Sequence, residues 1–113
     1  MSAKNSFGLP LVAAFAISLC WPAVSAENEF TLTIRDHRFK PEILTVPANQ
    51  EIALIVINAD ATAEEFESND FHVEKVIAGG KQMTFHIGPL TPGEYGFFGD
   101  RHPDETVGKL FAE

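Results

Sequence analysis

The chain has 113 residues, with 16 acidic against 8 basic and a formal net charge of −8 when histidine is neutral. That length suits one small domain. The acid excess repels phosphate and excludes a nucleic-acid binder, while it suits cations and basic partners.

The first segment stands apart. Residues 1–7 carry Lys4 and no acid, residues 8–20 ("GLPLVAAFAISLC") are apolar, and "WPAVSA" ends in a small-x-small pattern before Glu27. This is the layout of a secretory signal peptide, with cleavage expected after Ala26. The apolar run is shorter than the roughly 20 residues an anchoring helix needs, so no membrane insertion is expected after cleavage. Leu19 stands before Cys20 where a lipoprotein signal wants a small residue. Residues 27–113 are then the expected mature domain, and losing Lys4 moves its charge to −9. The only cysteine and the only tryptophan lie in the expected leader. No disulfide is available downstream, so burial must hold the fold, and no thiolate remains to bind a metal.

Residues 29–35 ("EFTLTIR") alternate Phe30, Leu32 and Ile34 with polar side chains, which predicts a half-buried strand. "DHRFKP" reads as a polar turn plugged by Phe39. Residues 42–46 predict a short strand ended by a turn at Pro47 and Asn49. Residues 51–58 ("EIALIVIN") are apolar without alternation inside, as in a central strand covered on both faces. Residues 59–72 read as one long irregular connection, in which Thr62 and Glu65 match a capping box for a single helical turn. "VEKVI" and "QMTFHI" predict strands on either side of a turn at "AGGK", with Met83, Phe85 and Ile87 on the core face and His86 facing solvent. "YGFFG" and "VGKLFA" form a final hairpin. Short strands with turn signals every 8–12 residues predict an all-β sandwich.

The order "F-x-P-x-x-L-x-V-P-A" (39–48), "N-x-D" (58–60), "P-G-E-Y-x-F" (92–97) and "H…G-x-L" (102–110) resembles the cupredoxin family. "IRDHRF", "EEFES", "EKVIAGG" and "IGPLTPGEYGFFG" resemble, more narrowly, small periplasmic proteins related to the cupredoxin-like domain of EfeO-type iron-uptake systems. The resemblance implies a Greek-key β-sandwich in the periplasm, serving ferrous-iron uptake beside a periplasmic iron-binding protein and an inner-membrane iron permease. A ferrous-oxidase role is implied for some such proteins.

The blue-copper site of that family uses two histidines, a cysteine and a weak axial methionine. Carried over, the first histidine falls at Glu64, the cysteine at Gly99, the second histidine at His102 and the methionine near Thr106, so only one of the four ligands is present. The pole implied by the resemblance gathers Glu64, Glu67, Asp100, His102 and His37 as candidate metal ligands. The donors are hard carboxylates and imidazole, which suit iron or Cu(II) and disfavour Cu(I). Each acid is also readable as an ordinary solvated surface residue. The alternative function is a metal-free module that docks on a basic partner through its acidic pole.

Overall fold

A computed structural model describes residues 28–113; the expected leader, residues 1–26, lies outside the described residues. Nine strands follow in order: β1 (Glu29–Arg35), β2 (Arg38–Lys40), β3 (Ile43–Val46), β4 (Ile52–Asn58), β5 (Glu64–Ser68), β6 (Val73–Ile77), β7 (Gln82–Ile87), β8 (Gly93–Gly99) and β9 (Val107–Ala112). They build a four-stranded sheet, β2-β1-β4-β7, and a five-stranded sheet, β3-β9-β8-β5-β6. The pairs β1–β4 and β3–β9 are parallel and the others antiparallel. The expected all-β sandwich is the fold. Among the described residues no helix is long and apolar enough to cross a membrane.

Period-two alternation explains the core. In β1 the side chains of Leu32 and Ile34 are fully buried, opposite Val56 and Asn58 of β4. β4 is the covered central strand its apolar run predicts, buried along nearly its whole length. Phe66 and Phe97 come from the facing sheet, and Phe39 meets them edge-on with ring centroids 5.9 and 4.8 Å away. Edge-to-face contact suits the ring quadrupoles. Met83 and Phe85 pack against this cluster while His86 is exposed, as the stripe in β7 predicts.

Two sequence expectations need correction. Residues 38–40 are not turn but a short strand, with Phe39 buried and Arg38 and Lys40 outward. Residues 59–72 are not one irregular stretch with a helical turn, because β5 runs through them. Glu64, Phe66 and Ser68 point inward, and Glu65 and Glu67 lie on the other face. Phe66 decides the outcome, since it sits among Phe39, Phe71, Phe85 and Phe97. β6 and β8 then pair with β5 from both sides. Tertiary packing thus overrides a one-turn capping signal.

Candidate metal centre

The site is built where the β1–β2 turn, the start of β5 and the β8–β9 loop meet. Asp36 and His37 form a two-residue link between the paired residues Arg35 and Arg38, and both take positive φ, 54° and 61°. A two-residue hairpin of matching twist requires this at both central positions, at some conformational cost. Asp60 offsets that cost: its carboxylate accepts the Asp36 N–H at 2.7 Å and the His37 N–H at 2.9 Å. Buried Asn58 holds the chain around Asp60. Its side-chain oxygen accepts the Asp60 N–H at 3.0 Å, and its amide donates to the carbonyls of Thr62 and Ile77. Burial alone would push the Asp60 carboxyl up. The hydrogen bonds from His37 and Asp36, and the charges of His37 and Arg35, outweigh it and leave the group below its ordinary value.

Fully buried Thr106 fixes the other side of the turn by donating its hydroxyl to the His37 carbonyl. With its N–H and C=O both held, His37 lays its ring on His102, centroids 3.7 Å apart and planes 25° from parallel. The β8–β9 loop presents His102 through short local bonds. The His102 N–H donates to the Gly99 carbonyl at 3.0 Å and the Thr106 N–H to the His102 carbonyl at 2.9 Å.

Glu64 completes the group and is only 2% exposed. One carboxylate oxygen lies 2.7 Å from His102 Nδ1; the other accepts the Arg101 N–H at 2.8 Å and the Glu65 N–H at 3.1 Å. A buried carboxylate persists only when so satisfied. An ionised carboxylate can only accept, so in the metal-free pole the Nδ1–H donates to it, and a cation shared by Glu64 and His102 would take the place of that proton.

His37, Glu64 and His102 therefore offer ligand atoms within 4.8 Å of one another. The other two expected ligands, Glu67 and Asp100, lie elsewhere, grouped with Glu65 within the same span. Strand alternation causes the division: Glu64 points into the sandwich, and Glu65 and Glu67 point out of it. The Asp100 N–H bonds the Glu65 carbonyl at 2.9 Å, which keeps Asp100 beside that outer set. Desolvation, a hydrogen bond with Glu74 and the charges of Glu74, Asp100 and Glu67 raise the Glu65 carboxyl. Desolvation and the charges of Glu74 and Asp100 raise Glu67. Sequence reasoning passed over Asp60 and Thr106 as supports of the site. The signal for Asp60 was present in the "N-x-D" motif; a buried threonine in a polar loop gives none.

Two imidazoles and one carboxylate fit a borderline divalent cation. The stacked rings also set a condition. Imidazole lone pairs lie in the ring plane, so two nearly parallel rings do not converge on one ion. Joint coordination requires one ring to rotate, and His37, 37% exposed against 33% for His102, has the freer side chain.

The model of the "Cupredoxin-like domain" family matches residues 9–112. An uncharacterized protein of Rickettsia prowazekii (strain Madrid E), RP394, is 46% identical over 84 residues, covering 74% of this chain and 67% of its own. Amicyanin from Paracoccus versutus superposes with a TM-score of 0.62 at 15% identity, over 80% of this chain and 85% of its own. Auracyanin A of Chloroflexus aurantiacus, a "blue" copper protein, gives 0.65 at 12% identity, over 75% of this chain and 98% of its own.

Proposed function

This chain belongs to the cupredoxin-like domain family, and from that premise we propose that it is a metal-binding protein whose site is His37, Glu64 and His102. The observation that carries the reading is the buried Glu64 carboxylate, set at the pole against the His102 ring and within ligand distance of His37. When bound, a divalent cation would supply a Lewis-acidic or redox centre. The chain's own part is to hold one buried carboxylate beside two half-exposed imidazoles, one of which turns to complete the site. Fe(II) and Cu(II) are the metals we propose, because oxygen and imidazole donors favour them over Cu(I). Service in periplasmic ferrous-iron uptake rests on the sequence resemblance in "EEFES" and "IGPLTPGEYGFFG".

Calorimetric titration of the purified protein with Fe(II) under anaerobic conditions, and with Cu(II), Mn(II) and Zn(II), tests this. We expect one site of micromolar or tighter affinity that His37→Ala and His102→Ala each weaken. Binding of none of the four metals would overturn the reading.

A second reading has its own observation. Glu65, Glu67, Asp100 and Glu74 meet on the outer face of the five-stranded sheet and raise two of their own carboxyls. A basic partner docked there would relieve that repulsion. Association that weakens with salt and with Glu65→Gln/Glu67→Gln, while metal titration stays unchanged, would favour it.

A further inference from the structure

The position at which a family cysteine would stand, Gly99, is packed against the one acid that the site has gained. A Cβ built on Gly99 would lie 2.6 Å from the Glu64 carboxyl carbon, 2.8 Å from one of its oxygens and 2.7 Å from the Thr106 methyl. Real Cβ atoms do not approach so closely, so something would have to shift. The Glu64 carboxylate cannot shift cheaply, because it is buried and three donors hold it. Nor can Thr106, which is fully buried and tied to the His37 carbonyl. The backbone at Gly99 is pinned as well: its N–H donates to the Thr106 carbonyl at 2.7 Å, and its carbonyl accepts from His102 at 3.0 Å. No positive φ accounts for this glycine, since those at Gly80 and Gly88 are the ones in that region among the described glycines. What requires glycine at 99 is the volume that Glu64 and Thr106 occupy together.

We infer that Gly99 is a positioning residue that sets the donor class of this site. By lacking a side chain it gives the Glu64 carboxylate the space that a ligating side chain at 99 would need, so the two positions are mutually exclusive. A side chain at 99 and a carboxylate at 64 cannot both occupy this pole. The oxygen-rich character of the centre follows from the pair rather than from Glu64 alone. The inference rests on the metal reading for its consequence, and on packing alone for its cause.

The experiment separates the two. Thermal melts are taken for wild type, Gly99→Ala, Glu64→Ala and the double variant, and the same four proteins are titrated with Cu(II). Gly99→Ala should lower both the melting temperature and the Cu(II) affinity, the latter by about 10–100-fold, as displacement of a supporting group typically does. The double variant should lose less than the sum of the two single losses, because the clash with the carboxylate is gone while the tight contact with the Thr106 methyl remains. Additive losses would overturn the inference. The second arm uses spectroscopy: Gly99→Cys/Glu64→His should develop an intense visible thiolate–Cu(II) band that Gly99→Cys alone lacks. A band of equal strength in the single variant would overturn the inference too. Wild type that binds no metal, together with non-additive melts and a band in the double cysteine variant only, would support the inference and overturn the metal reading alone.

Discussion

Replacing Glu64 with glutamine or with alanine separates the structural work of that side chain from its charge. The carboxylate is 2% exposed and is met by His102 Nδ1 and by the amides of Arg101 and Glu65. Glutamine keeps the shape and one acceptor oxygen for the two amides, and its NH₂ can donate to Nδ1 once His102 moves its proton to Nε2. The fold should lose little, on the order of 1 kcal/mol. Alanine leaves those donors without a partner in a buried corner, and leaves a void. An unsatisfied buried donor costs about 1–3 kcal/mol. The Arg101 and Glu65 amides carry most of that penalty, because His102 is one-third exposed and can turn to water. A loss of roughly 2–4 kcal/mol follows, or a drop of about 8–32 °C at the ~4–8 °C per kcal/mol expected of a domain this small. Circular-dichroism melts and metal titration of both variants read the two effects. Glu64→Gln should keep the melt and lose metal affinity, and Glu64→Ala should lose both. If the alanine variant melts within about 1 kcal/mol of wild type, Glu64 is not the buried anchor described; if glutamine binds metal as well as wild type, its charge is not a ligand's.

Asp60→Ala should free the amides of Asp36 and His37, destabilise the domain by about 1–3 kcal/mol and weaken metal binding through His37, measured by the same melts and titrations. The Asp60 carboxyl lies below its ordinary 3.8 when folded. Its contribution is therefore present above that value and lost as pH falls through the depressed folded one, a loss that the alanine variant should not show. Glu65 and Glu67 lie above the ordinary 4.5 when folded, so their contribution is present below 4.5 and lost as pH rises through the raised values. Glu67→Gln should accordingly raise the melting temperature at pH 7 more than at pH 4, and added salt should shrink the gain. With no thiolate at position 99, wild type with Cu(II) should show only weak visible absorption, checked by a simple titration spectrum.

The fold was legible wherever apolar residues alternate or run together. β1, β4, β7 and the β8–β9 hairpin all fall where Phe30 to Ile34, Ile52 to Ile57, Met83 to Ile87 and Tyr95 to Leu110 place them. β5 was not legible because two of its three inward residues are Glu64 and Ser68, which read as loop polarity. Their burial depends on partners from distant parts of the chain: Arg101 and His102 for Glu64, and the Gly96 carbonyl, 2.7 Å from the Ser68 hydroxyl, for Ser68. No local pattern carries that information. The same blindness affected the site. The acids of residues 64–67 look alike in sequence, and only knowing that the segment is extended tells Glu64 from its neighbours.

That distinction makes the pole a division of labour rather than one pool of charge. In an extended strand successive side chains must leave by opposite faces. Three acids in four positions therefore cannot converge on one ion. One goes inward, where burial forces it to find donors, and it finds a histidine and two amides. Two go outward, where they meet Glu74 and Asp100 and repel them. Inward, a carboxylate is tolerated because Gly99 gives way to it and because Asn58, Asp60 and Thr106 fix the turn that brings His37. A core built from Phe39, Phe66 and Phe97 carries the sandwich itself, and that fold superposes on amicyanin and auracyanin A at 12–15% identity.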